Sequence, residues 1–530
     1  MRFAAPPSSV PTSTLPFRLP LWAALLVAAA SGPIMDAGFP DKGWWPLTFI
    51  GVGLFLYTLI GRRVRASLLL GFIGGAGFYF THIEWASRFL GPVPMAALSI
   101  LESLFYMLGA MAIALAYRWL PRVFPTIVGR LLLLPVVVAG LWTAREAWAS
   151  VWPYGGFAWG RVSLSQSESP INGLFSWLGV SGVSFVMVFT IALAVEIIRL
   201  PGAMQKLRGS TLVVVVLAGA FVFPSFQLSN TGSMTVAAVQ GNGKASYFDT
   251  TRKYGDLLNA QWNATLPLIA DKEDVDVVIW PESGTDIDPL ANQSAADVLD
   301  YLSSELDAPV VTGAITERGE ELFNSSLLWE AGEGAEDIYD KRHPVPFGEY
   351  VPDREFWEPF APDLIGMIGR EYTPGTTDAV FDVRGVLAGI NICFDIVDDQ
   401  LMTDSINEGA QIMFAQSNNA DFGFSADDYT DEGVQQLAIA RVRALELGRT
   451  VVNVSTVGTS AIIGPDGETI NQLPVYEAAT MVNSVPLSDT VTPAVVFGRH
   501  IEWFVSWIGG AALLVSALAL RKRRVPRLRK

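Results

Sequence analysis

Three residues in this chain have the types and settings for covalent chemistry. Glu282 follows the apolar run VDVVIW (275–280) in a Trp-Pro-Glu-Ser string. Lys341 lies in YDKRHPVPFGEYVP (339–352). Cys393, the single cysteine, closes the apolar run GVLAGINICFD (385–395). A cysteine attacks as its thiolate, so it needs a base to take the proton or a cation to favour the anion. A carboxylate can be that base. A lysine can supply the charge and also face a developing oxyanion. Each residue has a plainer alternative: a small buried hydrophobe for Cys393, a cap for Glu282, a surface base beside Arg342 for Lys341. His82, His343 and His500 are scattered and suggest no metal site. One cysteine cannot form an internal disulfide.

All three residues need a scaffold, and the surrounding sequence alternates between strand and helix patterns. MTVAAVQ (234–240), VDVVIW (275–280), APVVTGA (308–314), NSSLLWE (324–330), 385–395, 410–415 and 449–454 read as strands. Residues 250–270, 295–306 (with Ser294 as N-cap) and 432–447 read as helices. AIIGPDGE (461–468) reads as a hairpin on a Pro-Asp-Gly turn. The alternation predicts an α/β layer fold, with Glu282 and Cys393 at strand ends, where such folds build their sites. Repeats, a Walker A loop and a GxGxxG fingerprint are not seen.

The rest of the chain is different in kind. Of 530 residues 51% are hydrophobic and 17% charged, mean hydropathy is +0.36, yet the net charge is −16. Residues 229–499 hold 44 of the 52 acids and 14 of the 36 bases; the remainder is apolar and basic. A strongly acidic domain excludes nucleic acid as a partner, which needs a basic surface. Eight apolar stretches approach membrane-span length: about 19–37, 44–60, 66–81, 93–117, 131–149, 171–200, 211–224 and 501–520. The first lacks a signal-peptide cleavage pattern. Arg2, Arg18, Arg62, Arg63, Arg65, Arg118, Arg122, Arg130, Arg199, Lys206, Arg208 and the tail RKRRVPRLRK crowd one set of loops; Lys42, Arg88, Arg145 and Arg161 lie on the other. This asymmetry predicts eight spans with both termini cytoplasmic and the acidic domain outside. The expected parts are 1–228 (spans one to seven), 229–499 (catalytic domain) and 500–530 (span eight and basic tail). Glu102 and the pair Arg145–Glu146 fall in or near spans, where charge is costly and often functional.

WPES, DKRHPVPFGEYVP and NICFD, in that order, resemble the nitrilase (carbon–nitrogen hydrolase) superfamily. With seven spans before the domain and one after, the chain resembles the apolipoprotein N-acyltransferase family of bacterial cytoplasmic membranes. VQGN (239–242), SNNADFG (417–423), RALELGR (443–449) and WPYGGFAWG (152–160) carry the same resemblance. It implies an αββα sandwich with a Glu282–Lys341–Cys393 triad: Glu282 as general base, Lys341 as oxyanion stabiliser and Cys393 as nucleophile, with no cofactor. It also implies a ping-pong transfer of the sn-1 acyl chain of a phospholipid, expected to be phosphatidylethanolamine, to the α-amino group of a diacylglyceryl-modified N-terminal cysteine on an apolipoprotein. A monomer is expected. Glu349 matches a supporting acid of the family. Phe394 and Asp395 stand where the family commonly has Tyr and Glu. Tyr247 and Phe248 stand near where it often has a lipid-contacting Trp. Two other readings are open: a membrane-tethered amidase using the same triad, and a transporter or scaffold with an inactive nitrilase domain.

Overall fold

The computed structural model describes residues 18–524 apart from positions 244, 424, 426 and 429. Arg2, the Arg208 side chain and the tail side chains beyond Lys522 lie outside the described residues. Before the α/β part run α1 (Leu21–Asp36), α2 (Pro46–Leu59), α3 (Val64–His82), α4 (Pro92–Val123), α5 (Leu134–Ala149), α6 (Phe175–Ile198) and α7 (Ala203–Phe221). A last long helix, Pro493–Arg524, follows it. All eight apolar stretches are thus helical. Among the described residues, five helices are long and apolar enough to cross a membrane: α3, α4, α5 with its preceding turn, α6 and the last helix. The helices α1 and α2 are apolar but shorter. α7 closes at Phe221, three residues before the Pro224 at which the pattern seemed to end.

Small residues let these helices approach closely, as apolar bundles require. A Cβ on Gly32 of α1 would lie 2.1 Å from the Gly77 carbonyl carbon of α3, so only glycine fits that crossing.

Among the described residues the α/β part has twelve strands: β1 (Gly232–Gln240), β2 (Val277–Ile279), β3 (Val310–Arg318), β4 (Glu321–Glu330), β5 (Gly334–Asp340), β6 (Val380–Val383), β7 (Val386–Ile392), β8 (Ile412–Ser417), β9 (Val451–Ser455), β10 (Ala461–Ile463), β11 (Thr469–Gln472) and β12 (Ala479–Leu487). They form two six-stranded sheets, ordered β12-β1-β2-β3-β4-β5 and β11-β10-β9-β8-β7-β6. The centre of each is parallel, β1 to β3 and β7 to β9, with antiparallel strands outside. Strand periodicity sets the layers. In β1, Val236 and Ala238 join the core shared with the second sheet; Ala237 and Val239 face the other way, onto α8 (Asp256–Asp271) and α9 (Gln293–Leu306). β2 repeats this with Val277 and Ile279 inward and Val278 outward. The helices α10 (Asp399–Asn407) and α11 (Asp431–Leu447) pack on the second sheet. The result is a four-layer αββα sandwich.

Three strands, β5, β6 and β12, escape the sequence reading: β5 is largely polar, β6 is only four residues long, and β12 is interrupted by Asn, Ser and Pro. The cap of α9 is Asn292, whose side chain accepts from the Ala295 N–H, while Ser294 sits inside the first turn. Either residue type can cap; the helix starts two residues earlier than expected.

The turn after α3, the loop after α5 and the first turns of α6 hold the sandwich against the bundle. Arg161 donates two hydrogen bonds to Asp399 (2.6 and 2.8 Å), and Arg443 of α11 donates a third (2.7 Å). Burial alone would raise the Asp399 carboxyl; the two guanidiniums overcome it and hold it well below the carboxylate range. Trp85 and Trp159 both donate to Gln435 Oε1 of α11 (3.1 and 2.7 Å). At Gly179 (φ 66°) α6 kinks, and the freed Val180 N–H donates to Glu446 (3.1 Å). Arg161→Ala should cost about 3 kcal/mol, the low end for breaking a buried pair because Arg443 still neutralises Asp399. Thermal unfolding in detergent measures it; an unchanged melting point would mean that the contact holds nothing.

Candidate active site

β7 delivers Cys393. Its apolar run is buried to Ile392, and the chain then turns through Cys393 at φ 50° into the short 3-10 turn Cys393–Val397. A side chain in this left-handed region points off the strand end rather than into the sheet. Cys393 as a residue is half-buried. β2 delivers Glu282 through the Pro281 turn, and Gly313 of β3 makes room for it: a Cβ there would lie 2.7 Å from the Glu282 Cα. β5 ends at Asp340, one residue before Lys341, whose N–H donates to the Asn324 carbonyl of β4 (2.8 Å).

Lys341 is 1% exposed and has two carboxylates on its ammonium: Glu349 Oε2 at 2.8 Å and Glu282 Oε1 at 3.4 Å. Asn324 closes the set. Its Nδ2 donates to Glu282 Oε1 (2.7 Å) and to Glu349 Oε1 (2.9 Å). The Val345 N–H donates to Glu349 Oε2 (2.6 Å). Burial by itself would lower the Lys341 pKa; Glu349 and Glu282 outweigh it and hold the ammonium well above its ordinary value. Burial pushes the Glu282 carboxyl up, Lys341 pulls against it, and Glu349 adds to the rise. Burial and Glu282 likewise raise the Cys393 thiol, while Lys341 lowers it. The arrangement holds one fixed cation, one carboxyl with raised proton affinity, and one thiol that feels both.

Asp395 and Phe394 do other work. Asp395 is fully buried and accepts from the Tyr339 hydroxyl (2.8 Å), the His343 N–H (3.2 Å) and the Ile392 N–H (3.3 Å). It ties the Cys393 turn to the Lys341 loop, one methylene shorter than glutamate. Phe394 stacks nearly parallel to Trp159 and Phe157 of the loop after α5, with centroids 6.3 and 6.1 Å away. It lines a cavity of about 210 Å³ together with Tyr154, Arg342, His343, Tyr350 and Asp398. Tyr247 and Phe248 pack on Phe89, beyond this cavity. Glu282, Lys341 and Glu349 therefore converge around Asn324. That residue escaped the sequence reading; a polar Asn-Ser-Ser step inside the strand ELFNSSLLWE is its only signal.

Buried charge inside the bundle has a structural use. Arg145 stacks over Tyr106 (4.0 Å to the centroid) and donates to Glu146 Oε1 (3.1 Å). The same oxygen accepts from Trp142 Nε1 (2.8 Å) and from the Val162 N–H (3.1 Å). This fixes the far end of the loop that carries Phe157 and Trp159. Glu102 is buried as well.

Residues 31–193 match the family profile of the apolipoprotein N-acyltransferase N-terminal domain, and residues 235–492 that of the carbon–nitrogen hydrolases. An apolipoprotein N-acyltransferase of Mycolicibacterium smegmatis is 31% identical over 544 residues, covering 96% of this chain and 87% of that one. The chain belongs to the apolipoprotein N-acyltransferase family. A relative of the same name from Photobacterium profundum is 26% identical, covering 94% of this chain and 95% of its own. An amidase of the nitrilase superfamily from Nesterenkonia AN1 has a solved structure with TM-score 0.38 and 15% identity, covering 52% of this chain and all of its own. In apolipoprotein N-acyltransferase terms, the N-terminal match runs from within α1 to within α6, and the hydrolase match from β1 to the residue before the last helix.

Proposed function

We propose that this chain is a phospholipid:apolipoprotein N-acyltransferase that works through a Cys393 thioester. The observation that carries the reading is the buried Lys341, held between Glu282 and Glu349 beside a nucleophile whose turn is roofed by the bundle's own loop. Glu282 takes the thiol proton, and the thiolate attacks the sn-1 ester carbonyl carbon. The oxyanion forms towards Lys341. The ester C–O bond then breaks, the lysophospholipid oxygen receives the proton from Glu282, and the acyl chain stays on sulfur. The α-amino group of the diacylglyceryl-cysteine attacks the thioester next. Glu282 takes the amine proton, the C–S bond breaks and the thiolate returns. Glu349 keeps Lys341 charged in both halves. Phosphatidylethanolamine is the proposed donor, and the chain acts as a monomer.

The same reading has three parts, 1–228, 229–499 and 500–530, eight spans, cytoplasmic termini and a catalytic domain on the outer face of the bacterial inner membrane. The partners of the loop bases support it. Arg130 and Arg199, both from the crowded set, share Glu196, and Arg62 donates to the Leu19 carbonyl near the N-terminus (2.8 Å). Arg88 and Arg161, from the sparse set, pair with Asp428 and Asp399 of the acidic domain. A tethered amidase would need one span rather than a bundle that reaches the nucleophile turn.

The test is to incubate the purified protein with a phospholipid tagged on its sn-1 chain. The expected product is a hydroxylamine-sensitive adduct on the protein. Its absence, or its persistence in Cys393→Ser, would falsify the thioester route.

A further inference from the structure

We propose that Gln436 is a further group of the reaction: its side-chain amide donates to the Cys393 sulfur and steadies the thiolate. This rests on Cys393 being the nucleophile. Gln436 is on α11, 1% exposed, with Nε2 at 3.8 Å from Sγ. An amide can turn either its N–H₂ or its oxygen to a neighbour, and only the first favours an anion. The surrounding groups decide which. Ser455, at the end of β9, donates its hydroxyl to Asn419 Oδ1. With its oxygen so occupied, Asn419 donates twice through Nδ2: to Gln436 Oε1 (2.8 Å) and to Glu432 Oε2 (2.7 Å). With its oxygen taken, Gln436 has only N–H left to offer sulfur. All four side chains are buried, so none can reverse its polarity by turning to water.

Glu432 completes the arrangement. Burial pushes its carboxyl up to about 8, against the pull of Asn419. Below that value it stays mostly neutral, and above it its charge opposes the thiolate. The neighbouring helix position faces elsewhere, since successive helical residues are about 100° apart: Gln435 meets Trp85 and Trp159 of the bundle. One helix turn thus holds the bundle on one side and the thiol on the other.

The experiment is the pH dependence of iodoacetamide alkylation, read by mass on the full-length protein in detergent. Cys393 is the only thiol, so the adduct is unambiguous. Gln436→Met keeps the unbranched shape without the donor. Gln436→Asn keeps an amide but withdraws it by one methylene, and serves if the methionine variant does not fold. Loss of a hydrogen bond to a charged group should raise the alkylation midpoint by about one pH unit, with about tenfold less thiolate below it. Acyl-enzyme formation should slow about tenfold at neutral pH and recover at higher pH. A midpoint equal to that of the unmodified protein overturns the proposal. The alkylation uses no lipid, so it stands or falls separately from the thioester test.

Discussion

Replacing Lys341 by methionine should both silence acyl-enzyme formation and loosen the fold. Among the described residues the ammonium is the sole cation on two carboxylates, 2.8 and 3.4 Å away, and Asn324 offers them only an amide. Removing one partner from a buried ion cluster costs about 3–5 kcal/mol. Removing an oxyanion donor costs about 10²–10³ in rate. The pH dependence separates the two losses. Lys341 has its pKa raised on folding, so its stabilisation is fully present below its unfolded value of about 10.4 and is lost only as pH rises above that. In the variant a proton can replace the missing ammonium on Glu282 or Glu349. The stability deficit should then be largest at pH 8 and narrow at pH 5, while acylation stays low at both. Thermal unfolding against pH, alongside single-turnover acylation, measures this. A variant as stable as the parent at pH 8 would mean that the carboxylates are neutral without it.

Glu282→Gln should slow acylation by about 10³, within the range for losing a general base, with little change in stability. Glutamine keeps the shape and can still accept from Asn324. The pH profile of the unmodified enzyme carries the sharper expectation. Burial raises the Glu282 carboxyl against the pull of Lys341, and a base works only when deprotonated. Acylation should therefore fall as pH drops through a limb lying above about 4.3, the ordinary glutamate value. That limb should vanish in Glu282→Gln. It should move higher still in Lys341→Met, where the downward pull is gone. A limb at or below about 4.3 would remove Glu282 as the base.

Much of this site could be read from the chain because its parts sit where apolar runs stop. Glu282 and Cys393 each follow an apolar strand-like segment, and a run buried on both faces reveals its end in one dimension; Lys341 stands out by its DKRHPVPFGEYVP string instead. What escaped the reading depends on contacts across the sandwich. Asn324 is 42 residues from Glu282, and Gln436 is 43 from Cys393. Nothing in a local pattern says that these amides meet. The roles of Asp395 and Phe394 were hidden for the same reason: one is defined by Tyr339, the other by Trp159 of the bundle. Tyr247 and Phe248, placed by analogy near the lipid, sit against Phe89. The α/β layers were legible from alternation, whereas the short helices α1 and α2 show that apolarity alone does not fix the length of a span.

The backbone at Cys393 has a consequence for how such a chain changes over generations. A non-glycine residue at φ 50° holds tension of about 1–3 kcal/mol, and glycine is the residue that relaxes it most fully. Drift towards a firmer fold therefore favours, at this one position, the substitution that in the proposed mechanism ends turnover. A lineage that lost its need for lipid modification would be expected to shed the cysteine early. One that keeps it is under continuous selection for activity against its own stability.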